Sequence, residues 1–254
     1  MELSVPTLLA VLLATVRASA WLVVAPPFSS KAIPSLVKVA IALGLALAVA
    51  PSLAAQAPPP KTSAVLVAAL FQVAVGLSLG FLAQMLLAAV QAAGELIDLF
   101  SGFTLASLYD PLSNNSSSMF GRVHQLVAVT LLFALNGHLL LIRGFLTSFE
   151  VMPLHPVSLG ALASQMSANL GAFFVAALEV AAPVVIVLFL AELALGLLSR
   201  AVPSLNVFAM SFPVKILLTL VLAGRAMALL PGVVSALLDR ITHSTGDLLQ
   251  ILGS

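Results

Sequence analysis

The chain has 254 residues, 61% of them hydrophobic and 7% charged, with mean hydropathy +1.20. Soluble domains carry roughly 25% charged residues, so this composition excludes a water-exposed globule and describes an integral membrane protein. The formal charge of +1 says nothing about partners; with no basic cluster and a single Trp and Tyr nothing in the sequence suggests nucleic-acid binding, and zero Cys excludes disulfides, thiolate metal sites and thiol catalysis.

A membrane helix needs about 20 mostly apolar residues. Six such segments are predicted, at about 4–25, 34–56, 63–93, 122–149, 169–199 and 207–238. Only Glu2 precedes the first, and Arg17 falls inside it, so it lacks the positive start of a cleavable signal and is expected to be retained. Pro26-Pro27 closes it, and Pro58, Pro59, Pro60 and Lys61 close the second. Proline removes a backbone donor and disfavours helix in the residue before it, so these clusters mark connections. In the third segment Gly76 and Gly80 form a GxxxG step, a spacing that lets helix backbones approach closely but also arises by chance in Ala- and Gly-rich helices.

Just beyond the third segment, Glu95 and Asp98 are three apart and share a helix face. Two carboxylates so placed could bind a cation; the better expectation is a helix end near water, ahead of a polar loop. That loop runs from Tyr109, Asp110 and Pro111 through Asn114, Asn115, Ser116, Ser117 and Ser118 to Met119 and Phe120. Its backbone polar groups could not go unpaired in lipid. It suits water, either as an exposed hairpin loop or inside a lumen, with Gly102, Pro111 and Gly121 expected to supply bends. Met119 and Phe120 could then press against partner side chains as a seal.

The fourth segment carries His138 and Arg143, and Pro153 and Pro156 end it. The fifth carries Glu179, Pro183 and Glu192, and Pro203 follows it. Glu179 and Glu192 lie on different faces about 20 Å apart along the axis, so separate inter-helix contacts are expected rather than one ion site. The sixth segment carries Pro213, Lys215 and Arg225. Ionisable groups at membrane depth cost at least ~2.5–3.5 kcal/mol each and face protein or water. Their presence in at least four segments points to helices buried against partner subunits. Positive charge after segments one, three and five (Lys31, Lys38, Arg122, Arg200) outweighs Lys61 and Arg240, which predicts an outside N-terminus.

No catalytic constellation is present in the sequence. His124, His138, His155 and His243 have no paired ligand spacing, and Ser116 to Ser118 lack a plausible base. No catalytic, cofactor or metal site is expected. A polytopic secondary transporter of a small solute remains an alternative, since it would use Glu179, Glu192 and the proline breaks. No inverted repeat is visible for it.

Four stretches carry a family resemblance: "VRASAWLVVAPPFSSKAIPSLVKVAIAL" (16 to 43), "AGELIDLFSGFTLASLYDP" (93 to 111), "LLFALNGHLLLIRGFLTSFEVMP" (131 to 153) and "LAELALGLLSRAVPSLNVFAMSFPVKILLTL" (190 to 220). Their order and spacing resemble the FliR/SctT family, subunits of the type III secretion export gate. "FALNGHLLL" and "IDLFSGF" read as the flagellar branch; the injectisome branch is the alternative. The resemblance implies an all-α polytopic membrane subunit of a helical hetero-oligomeric gate. It implies a single domain over 1–254, with a FliP-like part at about 1–165 and a FliQ-like part at about 166–254. The polar loop near 106–121 would be a channel plug. Implied partners are several copies each of FliP and FliQ, then FlhB and FlhA, membrane lipid, and exported flagellar proteins in transit. Implied subunit-contact or buried polar positions are Arg17, Glu95, Asp98, His138, Arg143, Glu179, Glu192, Arg200, Asn206, Lys215 and Arg225. Of these Arg200, Asn206 and Lys215 match the family block residue by residue, as do Pro203 and Phe208, and Arg200 and Lys215 are expected to meet acidic partner or lipid groups. The resemblance also implies a non-enzymatic role in the bacterial inner membrane, within the flagellar basal body.

Overall fold

A computed structural model describes residues 4–104, 118–152, 154, 158–202 and 206–253. These form α1 (Val5–Val24), α2 (Ser35–Leu53) with a 3-10 turn (Ala54–Gln56), α3 (Thr62–Ser101), α4 (Met119–Ala134), α5 (Gly137–Val151), α6 (Leu159–Ala201) and α7 (Val207–Gly253). No strand occurs among the described residues. Five helices are long and apolar enough to cross a membrane, or six spans if the bent pair α4–α5 counts as one. The chain is an all-α polytopic membrane protein.

The first two helices follow the expected bounds. Ser4 starts α1 by accepting the Thr7 N–H on its side chain at 3.4 Å, with proline at the first helical positions. The prolines at 58–60 separate α2 from α3.

The fourth predicted segment is a correction. It is two helices, bent by 71° around a break at Asn136, whose φ of 56° is left-handed. Asparagine tolerates that conformation better than most residues. The later helices outrun the apolar stretches that predicted them. α6 begins ten residues earlier than expected, capped by Ser158, whose hydroxyl accepts the Ala161 N–H at 3.3 Å. α7 continues past Leu238 because residues 239–250 are amphipathic, with Ile241, Leu248 and Leu249 buried. Hydropathy reports lipid-like stretches; the helices end where capping and packing end.

The chain divides into two compact units. Unit one comprises Met1–Leu86, Leu132–Gly171 and Leu237–Ser254. Here Gly76 and Gly80 let α3 close on α1. A Cβ at Gly76 would lie 2.4 Å from the Arg17 carbonyl oxygen, and one at Gly80 would lie 3.0 Å from that of Trp21. Trp21 stacks on Phe145 with ring centroids 4.6 Å apart, and Phe145 meets Phe149 edge-on at 5.3 Å.

Arg17 is fully buried in this packing. Its Nε donates to Gln72 Oε1 at 2.7 Å, Nη1 to the Ser148 carbonyl at 2.9 Å, and Nη2 to the Met152 carbonyl at 2.7 Å. Its guanidinium carbon sits 4.2 Å from the Phe149 ring centre. Carbonyls at a helix C-terminus lack intrahelical donors and carry partial negative charge. One arginine from α1 therefore caps the end of α5, which answers why a cation is tolerated inside an apolar helix.

Unit two comprises Leu87–Leu131 and Ala172–Ala236. Its core joins Ile97 of α3, Phe120 of α4, Val184 and Leu188 of α6 and Ala223 of α7. Phe103 packs edge-on against Phe120 at 5.7 Å.

Candidate functional site: the root of the polar loop

Residues 105–117, between α3 and α4, lie outside the described residues, and the chain on either side of them meets at Asp98. α3 does not stop at the polar pair Glu95 and Asp98. It runs to Ser101, and Gly102 follows with φ of 87°, a left-handed geometry that ends helices and that glycine adopts without strain. The Ser101 hydroxyl donates to the Asp98 carbonyl at 3.0 Å.

Asp98 itself is only 2% exposed. Its Oδ2 accepts the Phe120 N–H at 2.8 Å, the Gly121 N–H at 3.3 Å and the Ser118 hydroxyl. Ser118 also accepts the Gly121 N–H at 2.9 Å, as an N-cap does. A carboxylate at the first amides of α4 satisfies orphan donors and opposes the positive end of the helix dipole. Asp98 thus ties the start of α4 to the last turns of α3. Its Oδ1 is buried and makes no hydrogen bond among the described residues.

Two glycines make the clamp possible. A Cβ on Gly94 would lie 2.5 Å from the Phe120 carbonyl oxygen, and one on Gly121 would lie 2.8 Å from Glu95 Cγ. Real Cβ contacts do not come so close. His124, one turn into α4, has Nδ1 2.8 Å from the Phe120 carbonyl oxygen.

Several expectations are corrected here. Asp98 does not mark a water-facing helix end, because it is buried as a cap; Glu95 is exposed and accepts Gln91 Nε2 at 2.8 Å. Gly121 supplies close approach inside α4 rather than a bend. Phe120 does not face a partner; it is 7% exposed and belongs to this chain's core, whereas Met119 is 60% exposed. Tyr109, Asp110, Pro111, Asn114, Asn115, Ser116 and Ser117 lie outside the described residues.

The remaining candidates are dispersed. Lys215 is 12% exposed in its side chain and pairs with Glu192, which is 59% exposed, so its acidic partner is on this chain. Glu179 of α6 and Arg225 of α7 line one cavity in unit two. Arg143 lines a cavity of about 210 Å³ in unit one, beside Thr242 and Thr245. His138 is half-buried, 5.0 Å from the Phe133 ring, and its Nδ1 has no hydrogen-bond partner among the described residues. Arg200 is exposed in the last turn of α6, where a cation complements the dipole, and Asn206 is exposed just before α7. Among the described residues no cluster of His, Asp and Glu could hold a metal ion. Sequence reading missed Gln72 and Ser148, which hold Arg17, and the capping role of Ser118. A basic residue inside an apolar helix was the available signal that polar partners exist, but not where.

Residues 8–241 match the family described as "Bacterial export proteins, family 1". The flagellar biosynthetic protein FliR of Escherichia coli is 32% identical over 238 residues, which cover 93% of this chain and 91% of that protein. FliR of Bacillus subtilis is 31% identical over 248 residues, 96% of each. The Yop proteins translocation protein T of Yersinia pestis is 30% identical over 147 residues, 57% of this chain and 56% of that one. A match across nearly the whole length, in a chain of long apolar helices, establishes that this protein belongs to family 1 of the bacterial export proteins.

Proposed function

We propose that the chain is a non-enzymatic structural subunit of the flagellar type III protein export gate in the bacterial inner membrane. The observation that carries the reading is the full-length match to FliR proteins of two distant bacteria. The flagellar branch is favoured over the injectisome because the Yersinia protein aligns with just over half of the chain. The expected partners are several copies each of FliP and FliQ, with FlhB and FlhA at the cytoplasmic side. Residues of about 1–165 play the FliP-like role and about 166–254 the FliQ-like role.

The polar segment near 106–121 is the channel plug in this reading. What supports it is chemistry at its root: a buried carboxylate fixes where the segment re-enters α4. A plug must return to one position after each passage, and a clamped exit limits where it can return.

Native mass spectrometry of the tagged chain, co-expressed with its genomic neighbours, tests the assignment. One copy with several copies of two small membrane proteins is expected. A monomer or homodimer that alone moves a small solute across vesicles overturns it and favours the transporter.

A further inference from the structure

The end of α7 packs along α5 in parallel. A Cβ on Gly137 would lie 2.8 Å from Leu238 Cδ2, and one on Gly144 would lie 3.4 Å from Thr245 Cγ2. Both pairs are 101 positions apart in sequence, so the two helices hold one register over two turns. Beside this seam lies the cavity of about 210 Å³ in unit one, with Trp21 of α1 and Leu79 of α3 in its lining. Gly144 and Gly246 line it too, and nothing lies within 4 Å of the Cβ position of Gly246. Residues this small let another helix backbone come close.

The polar groups of the cavity have no partners within the chain. Arg143 is exposed, and with Thr147 and Thr245 it makes no side-chain hydrogen bond or ion pair among the described residues. A guanidinium and two hydroxyls can all donate, and a carboxylate accepts from all three.

Charge along the groove narrows the occupant. Glu150 shares the α5 face of Arg143 and Thr147, and Asp239 shares the α7 face of Thr242 and Gly246, by their spacings of three, four and seven residues. Both acids are exposed. The register sets Arg143 level with Ser244. Asp239 therefore stands ~7.5 Å to one side of Arg143 along the groove, and Glu150 ~10 Å to the other. The groove reads acid, base, acid. A lipid acyl chain laid along it would pass a carboxylate at each end and answer neither. A helix answers all three with a base, an acid and a base. We propose that the groove between α5 and the end of α7 receives a helix of a different subunit, which sets an Asp or Glu on Arg143, Thr147 and Thr245 and a Lys or Arg about five residues to one side, facing Asp239, and about seven to the other, facing Glu150. The proposal rests on the reading of the chain as one subunit of a complex, and adds the face and the chemistry of one contact.

The test uses the full chain in the complex that co-purifies in mild detergent. Photo-crosslinking residues placed separately at Leu140 and Thr242, which both line the groove, are expected to label one helix of another subunit that carries the base–acid–base pattern. Adducts to lipid, to a second copy of this chain or to a helix without that acid overturn the proposal. By native mass spectrometry, Arg143→Glu should lower recovery of the labelled subunit at least about tenfold, the loss carried by one charge-assisted hydrogen bond. Reversing the partner's acid to Lys should restore it. Unchanged recovery, or no restoration, overturns the proposal. Should Arg143→Glu fail to fold, Arg143→Gln decides by the same loss of recovery. A wild-type chain recovered alone overturns the subunit reading and this contact with it; an intact complex labelled elsewhere overturns the contact alone.

Discussion

Arg17 and Ser148 lie 131 residues apart in sequence, and the guanidinium of the first donates to the carbonyl of the second at 2.9 Å. With Met152 and Gln72 this makes one side chain the cap of α5 and the tie between α1, α3 and α5. Arg17→Ala leaves several buried acceptors unsatisfied at about 1–3 kcal/mol each, so a loss of roughly 3–5 kcal/mol is expected. Arg17→Lys keeps the charge but not the planar fork and should recover only part of it. Thermal unfolding in detergent reads both; an Arg17→Ala variant as stable as the wild type contradicts the capping role.

The contact of α3 with α1 depends on Gly76 more than on Gly80, because the missing Cβ would meet backbone at 2.4 Å in one case and 3.0 Å in the other. Gly76→Ala should cost about 1–3 kcal/mol by overpacking, and Gly80→Ala less. Gly196, in α6, has nothing within 4 Å of its Cβ position. Gly196→Ala should therefore be neutral or gain up to about 1 kcal/mol from helix propensity. A reversed order in unfolding midpoints would refute this packing.

Asp98→Ala removes the acceptor for two amides of α4 and should destabilise that helix start by about 0.5–2 kcal/mol. Its larger effect is expected on the closed gate. In a reconstituted complex, small-ion conductance should rise, as it should when Asn114 to Ser117 are deleted. The deletion stops short of Ser118, because Ser118 is part of the clamp. Wild-type conductance in the deletion variant would remove the plug assignment; wild-type conductance in Asp98→Ala alone would leave the plug and remove its anchor.

The Glu192–Lys215 pair joins α6 to α7 with one partner exposed. Polar inter-helix contacts in membranes average ~0.6 kcal/mol, so Glu192→Gln should barely change stability. Its export rate is expected to match the wild type. Export abolished with assembly intact would instead assign Glu192 a proton-coupling role, and a motility assay paired with co-purification separates the two.

What the sequence made legible was limited by range. The positions of α1 and α2 follow from local apolar runs and proline breaks, and they agree within a residue or so. The ends of α3, α6 and α7 do not, because Asp98, Ser158 and Leu248 continue or cap helices through contacts and amphipathic patterning that a hydropathy window averages away. The bend at Asn136 is set by one residue's backbone, and its trace in the sequence, the Asn136-Gly137 pair, is a turn signal that a hydropathy window averages away. Among site residues, a charge inside an apolar run flagged Arg17 and Lys215 as needing partners, while Asp98 was expected at a water-facing helix end. It could not name Ser148, Phe120 or Glu192, since those pairings are made by the folded chain across 131, 22 and 23 positions respectively.

The bend between α4 and α5 also governs the parity of the chain. At 16 and 15 residues the two helices are ~24 and ~23 Å long, and neither alone crosses a ~30 Å hydrocarbon layer. If the pair traverses together, the start of α1 and the end of α7 emerge on the same side; if it dips and returns, they emerge on opposite sides. Whether the pair at Asn136 crosses or returns thereby sets to which compartment the last helix delivers its end.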